Sequence, residues 1–156
     1  KKIADSVLQN GGQVTGVYPR GHFLEELQTN LTNTYIVNTM AERKALMLDL
    51  CDAWLAMPGG FGTMDEFFDA LCLFQIRNHR KPCGLLNIHG YYDHLLAFFR
   101  NACSAGFLRS PDLNLISVHS NPAGLLDTLA ERVEGRSPVI PFSVPVTGKS
   151  IPVWNA

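Results

Sequence analysis

The sequence predicts an α/β fold, a parallel sheet with helices on both faces in a three-layer arrangement. Three observations predict it. Short apolar runs alternate with helix-patterned segments along most of the chain, the order that builds strand–helix–strand units. Two runs, DAWLAM (52–57) and PCGLLNI (82–88), are apolar almost without interruption, as strands are when both faces of their sheet are covered. The helical segments also carry recognisable start and stop signals.

In chain order, residues 2–9 are helical and closed by Asn10-Gly11-Gly12. QVTGVY (13–18) is a strand that Pro19 ends, and TYIVNT (34–39) is a second, rich in β-branched residues. A helix over 40–50 starts from Thr39-Met40-Ala41-Glu42, which fits the Ser/Thr-x-x-Glu capping box. The strand 52–57 leads to a helix over 63–77, where Thr63-Met64-Asp65-Glu66 fits the same box. The strand 82–88 leads to a helix over 91–105 that Gly106 ends; LNLISVH (113–119) is the fifth strand. Asn121-Pro122 provides a cap and a first-turn proline for the last helix, 122–134. The segment 135–156 holds prolines 138, 141, 145 and 152 without a helical period, so it is expected to be an extended tail to a single domain spanning 1–134.

Composition narrows the function classes. The length of 156 residues fits one domain, and 46% hydrophobic against 17% charged content is enough to bury a core. A formal net charge of −1 gives no field directed at nucleic acid or an anionic membrane, and neither is expected as a partner. No apolar run approaches the roughly 18 residues of a membrane span. The start, KKIADSVLQN, interrupts its apolar character with Asp5, Gln9 and Asn10, unlike a signal-peptide core. Cysteines 51, 72, 83 and 103 form no Cys-x-x-Cys pair and sit in apolar surroundings. Buried reduced thiols, hence a reducing, cytoplasmic setting, are expected over disulfides or a zinc site. The five histidines lack metal-ligand spacing, and His22 and His79 are expected in solvated loops. No metal and no cofactor is expected.

Between the strand 52–57 and the helix that follows lies AMPGGFGTMDE (56–66). In open α/β sheets ligands bind beyond the carboxyl ends of the strands, where this loop falls. A helix N-terminus offers unpaired N–H groups and partial positive charge to an anion, and glycines let the backbone approach it closely. The spacing is neither Gly-x-Gly-x-x-Gly nor the Walker pattern, because no Lys-Ser/Thr follows. From the glycines alone, a tight turn with a capped helix fits as well as a phosphate cradle.

PGGFGTMDE (58–66) matches Pro-Gly-Gly-x-Gly-Thr-x-x-Glu, and MAERK (40–44) matches Met-x-x-Arg-Lys. With both motifs, the chain resembles the Lonely Guy family of nucleoside 5′-monophosphate phosphoribohydrolases, a family also labelled lysine decarboxylase. GGQVTGVYP (11–19), CDAWLAMPGG (51–60), KPCGLLNIHGYYDHLLAFF (81–99) and GFL (106–108) extend the likeness over about residues 1–134. The resemblance implies a Rossmann-like, homodimeric enzyme that hydrolyses the N-glycosidic bond of a cytokinin riboside 5′-monophosphate, or of AMP, giving free base and ribose 5-phosphate. It implies catalytic roles for Arg43 and Glu66. It also implies phosphate or substrate binding by Gly59, Gly60, Phe61, Gly62 and Thr63, with Lys44 adding charge and Glu25 at a nucleotide-contacting position. The family begins with further strands and a Gly-Gly-Gly loop ahead of the position of Lys1, and a piece of that kind is expected outside this sequence. It often carries threonine where this chain has Cys72.

The residue types suit that chemistry. Breaking a ribosyl C–N bond develops positive charge on the sugar, which a carboxylate such as Glu66 stabilises. A guanidinium such as Arg43 can hold phosphate or sugar oxygens bidentately, as lysine cannot. Simpler roles stand beside these: Glu66 as a capping-box acid, Arg43 in a surface ion pair, and the apolar stripe Phe67, Leu71, Phe74 as core or dimer interface. A broader nucleotide nucleosidase and a non-catalytic nucleotide-binding module are the competing functions. Pyridoxal-dependent lysine decarboxylation needs a Schiff-base lysine with cofactor partners, which no segment suggests.

Overall fold

The computed structural model describes residues 2–21 and 28–135. The elements run α1 (Lys2–Gln9), β1 (Thr15–Pro19), β2 (Asn33–Val37), α2 (Met40–Leu50), β3 (Trp54–Ala56), α3 (Phe61–Gln75), β4 (Cys83–Leu86), α4 (Asp93–Ser104), β5 (Ile116–His119) and α5 (Pro122–Val133). Short 3-10 turns at Ile88–Gly90 and Ser110–Leu115 precede α4 and β5. The expected tail over 136–156 lies outside the described residues. Among those described, no helix is long and apolar enough to cross a membrane.

Among the described residues every strand pair is parallel, as strand–helix alternation leads one to expect for β3 to β5, but the strands form two ladders rather than one sheet. β1 pairs with β2, while β3, β4 and β5 pair in that order. Asn33 N–H donates to the Val14 carbonyl and Arg20 N–H to that of Val37, so the even-numbered residues of β1 face β2. The Val17 carbonyl points off the other edge, where it accepts from Arg43 Nε at 3.0 Å. A side chain of α2 thus occupies a strand edge that a single continuous sheet would have paired.

The three-stranded ladder is covered on both faces, which gives the three layers. Trp54, Ala56, Cys83, Leu85 and Ile116 join Phe67 and Ala70 of α3 and Leu96 and Phe99 of α4 in one core. On the opposite face Leu86 packs with Leu125 and Leu129 of α5. α5 comes so close at Gly84 that an added Cβ would lie 3.0 Å from Leu125 and 3.1 Å from Leu129. Burial of such side chains is worth roughly 1.5–3 kcal/mol each, so this ladder anchors everything attached to its strand ends.

Of the two readings of the α3 stripe, core or dimer interface, the core one holds: Phe67 is fully buried, and Phe68, Leu71, Leu73 and Phe74 pack against the same core cluster, leaving Ile76 exposed just past the helix. Other local expectations are corrected by tertiary contacts. His79 is not a solvated loop residue. Its ring stacks on Phe74 at 5.6 Å, with Nε2 2.9 Å from the Ala70 carbonyl and Nδ1 accepting from Lys81 N–H. The four thiols are free, yet only Cys83 is buried and Cys72 is exposed. His22 lies outside the described residues.

Candidate functional site

β3 delivers the chain to the glycine loop, and α3 begins earlier than the capping-box pattern suggests. Its N-cap is Gly60 (φ −98°, ψ −150°), with no side-chain cap, and Met64 N–H makes the first intrahelical bond to the Gly60 carbonyl at 3.1 Å. Thr63 is therefore inside the first turn and Glu66 is not a capping-box acid. The Thr63 side chain instead packs against Gly59, where an added Cβ would meet Oγ1 at 2.2 Å. That contact explains one glycine. Gly60 and Gly62 have neither a positive φ nor a neighbour within 4 Å of an added Cβ; they leave open space at the helix start. The N–H groups of Phe61, Gly62 and Thr63 belong to the first turn, which lacks intrahelical acceptors. Phe61 itself is 98% exposed.

α2 brings the second motif to this loop. Thr39 Oγ1 accepts from Glu42 N–H at 3.1 Å, as a cap should, while the Glu42 carboxylate reaches back to Asn38 N–H at 2.7 Å. So fixed, the helix turns Arg43 toward α3, where its Nη1 donates to Glu66 Oε1 in an ion pair. Each side chain of the pair is about one-fifth exposed, 22% and 23%. Lys44, one residue on, sits 3.3 Å from Asp65 and 3.5 Å from Asp69. Burial pulls its ammonium down, but the hydrogen bonds and charges of the two aspartates outweigh this and leave it above its ordinary value. The structure thus brings Arg43, Glu66, Thr63 and the glycine loop together, and directs Lys44 to the outer side of α3. Glu25 lies outside the described residues.

A cleft of about 480 Å³ runs between the two ladders. Thr15 and Val17 line it from β1, Trp54, Leu55 and Ala56 from β3, and Met47 and Leu50 from α2; Pro58, Thr63 and Glu66 bring the glycine loop and α3 to the same space. Apolar walls with a few convergent polar groups are the usual make-up of a small-molecule site. Among the described residues no three His, Cys, Asp or Glu side chains gather as metal ligands.

Two further contacts were not legible in the sequence. Tyr91 Oη donates to the Gly59 carbonyl at 2.8 Å and Tyr92 Oη to the Met57 carbonyl at 2.5 Å, bracing the loop from its far side. Burial pushes the Tyr92 phenol up, with the neighbouring Tyr91 adding to the effect and a hydrogen bond with the Gly59 backbone opposing it. The adjacent tyrosines after Gly90 were the only signal, and nothing local ties them to a loop more than thirty residues earlier.

Parallel strands sandwiched by helices, with a glycine-rich helix start beyond a strand end, define a Rossmann-like α/β protein. The chain belongs to the family described as possible lysine decarboxylase, whose model matches residues 1–129; this is the Lonely Guy family that its motifs resemble. It is 40% identical over 132 residues to a probable cytokinin riboside 5′-monophosphate phosphoribohydrolase of Oryza sativa subsp. japonica, covering 84% of this chain and 54% of the relative. A cytokinin riboside 5′-monophosphate phosphoribohydrolase of Rhodococcoides fascians is 42% identical over 108 residues, covering 68% and 54%. One of Arabidopsis thaliana is 36% identical over 132 residues, covering 84% and 62%. The chain spans about half the length of the first two of these relatives.

Proposed function

We propose that the protein hydrolyses the N-glycosidic bond of a nucleoside 5′-monophosphate, a cytokinin riboside 5′-monophosphate or AMP, to free base and ribose 5-phosphate. The observation that carries the reading is the Arg43–Glu66 pair standing beside the open first turn of α3. In this reading the N–H groups of Gly60 to Thr63 hold the 5′-phosphate, and Phe61 lies against the substrate. Glu66 stabilises positive charge on the ribosyl carbon as the C–N bond breaks. A water molecule adds to that carbon, its oxygen forming the new C–O bond, and one of its protons leaves with the base. Arg43, with Nε on the Val17 carbonyl and Nη1 on Glu66, turns its remaining N–H groups to phosphate or sugar oxygens. The names of the relatives support the substrate class.

Lys44, held by two aspartates, contributes long-range charge to the phosphate side, and Glu25 contacts the nucleotide. The active form is a homodimer, consistent with exposed Phe61 and Ile76 at either end of α3. Free thiols fit a cytoplasmic setting. Residues 1–134 belong to the catalytic domain.

Incubation of the full-length protein with AMP and with isopentenyladenosine monophosphate, followed by chromatography, tests the reading. Free base from either substrate is expected. Tight nucleotide binding with no base released would instead define a non-catalytic nucleotide-binding protein.

A further inference from the structure

The two phenols that brace the glycine loop have a geometric consequence for its donors. Their rings meet edge to face at 5.0 Å and 88°, so the hydroxyls reach carbonyls on either side of Pro58. The turn that carries them is itself held: Tyr91 N–H donates to the Ile88 carbonyl at 3.1 Å, and the backbone at Tyr92 is tied to β4. Asn87 N–H donates to the His119 carbonyl at 2.9 Å, tying the end of β4 to β5. The Asn87 side chain accepts from Tyr92 N–H at 2.7 Å and donates to Asp93 at 2.8 Å. The turn between requires Gly90: its φ is +71°, and an added Cβ would meet Asp93 Oδ2 at 2.5 Å. A chain of short contacts therefore runs from the buried ladder to the Met57 and Gly59 carbonyls.

In a trans peptide the C=O and N–H point in opposite directions. A phenol that holds the Gly59 carbonyl accordingly aims the Gly60 N–H away from Tyr91. The Met57 carbonyl precedes Pro58, which has no N–H, so the Tyr92 bond to that carbonyl sets the entry of the loop, while the Tyr92 hydroxyl also meets the Gly59 backbone.

We propose that Tyr91 is a positioning residue for phosphate: its hydroxyl fixes the Gly59–Gly60 peptide so that the Gly60 N–H joins those of Phe61 to Thr63 on one anion. This rests on the phosphate reading above. Donors held in place beforehand need no reorganisation when the ligand arrives, whereas an untethered diglycine must be ordered at that moment.

The test is Tyr91→Phe in the full-length protein, with AMP and adenosine as probes in calorimetry and AMP in steady-state kinetics. Tyr91 is 54% exposed, so losing its hydroxyl leaves the core intact. AMP affinity is expected to fall about five- to tenfold, the effect of one hydrogen bond, with adenosine affinity unchanged. KM for AMP should rise with kcat constant, because the interaction is equal in ground and transition states. Unchanged AMP affinity, or equal weakening of AMP and adenosine, would overturn the proposal. A wild-type protein that binds AMP no more tightly than adenosine would instead overturn the phosphate reading itself. Tyr92→Phe, at a buried position, is expected to lower Tm and to weaken AMP less than Tyr91→Phe does; the reverse order of affinities would overturn the assignment of the oriented donor to the Gly59–Gly60 peptide.

Discussion

Arg43 of α2 bonds at once to the Glu66 carboxylate of α3 and to the Val17 carbonyl of β1, joining a strand edge to the helix that starts at the glycine loop. The guanidinium does this with two different nitrogens, Nε toward the strand and Nη1 toward the carboxylate. An ammonium has one nitrogen and cannot span both in the same geometry. Arg43→Lys is therefore expected to lower stability by about 1 kcal/mol and to weaken both AMP binding and base release. Thermal melts and kinetics check this; wild-type values for all three would show that the fork is unnecessary.

The glycines of the loop should separate by role. Gly59→Ala drives a methyl into Thr63 at 2.2 Å from Oγ1, so it should destabilise the fold and displace the loop. Gly62→Ala meets nothing within 4 Å and sits within α3, where alanine is worth roughly 0.5–1 kcal/mol over glycine. We expect it to be more stable than wild type yet to bind AMP more weakly, because the methyl enters the space assigned to phosphate. Calorimetry with AMP beside a thermal melt distinguishes the two effects.

Acid stability should depend on Asp112. Two bonds from Arg109, at 2.8 and 2.9 Å, and one from Gln75 at 2.9 Å meet its carboxylate, which is 8% exposed. The Arg109 hydrogen bond, opposed by burial and helped by Gln75, holds its pKa below the usual carboxylate value. A depressed folded-state value means the contribution is fully present above the ordinary value and lost as pH falls through the folded one. Asp112→Asn should lower Tm by a few degrees at neutral pH, with the gap to wild type closing in strong acid. A gap independent of pH would contradict this.

The thiols should differ in reactivity. Burial pushes Cys83 up to about 12, and burial also raises Cys51, whereas Cys72 is exposed on α3. Only a thiolate reacts readily. In native protein at mildly alkaline pH, a disulfide reagent followed by mass spectrometry should label Cys72 first and Cys83 only on unfolding. Equal rates would contradict the described packing.

Much of this was written locally in the sequence. The continuous apolar runs around Leu55 and Leu85 announced covered parallel strands, and Asn121-Pro122 and Thr39 marked helix starts that the structure keeps. The motif residues Arg43, Thr63 and Glu66 do converge. The start of α3 is not legible locally, because Thr63-x-x-Glu66 satisfies a capping pattern while Gly60, three residues earlier, is already the N-cap. The division into two ladders depends on which strand edges meet, which no local pattern encodes. The same holds for Tyr91 and Tyr92, whose partners lie 32 and 35 residues away, and for His79, whose polar neighbourhood in sequence conceals its stacking on Phe74.

The central claim is that Glu66 serves the reaction and not the helix. Its side chain meets Arg43, and the cap of α3 is Gly60, so Glu66→Gln leaves the helix start untouched and removes the negative charge beside the loop. The most direct measurement is base release from AMP by the full-length Glu66→Gln variant, with folding checked by circular dichroism and AMP affinity by calorimetry. The account predicts a folded protein, AMP affinity within a few-fold of wild type, and turnover lower by on the order of 100-fold or more. A folded Glu66→Gln variant that releases base at the wild-type rate would contradict it.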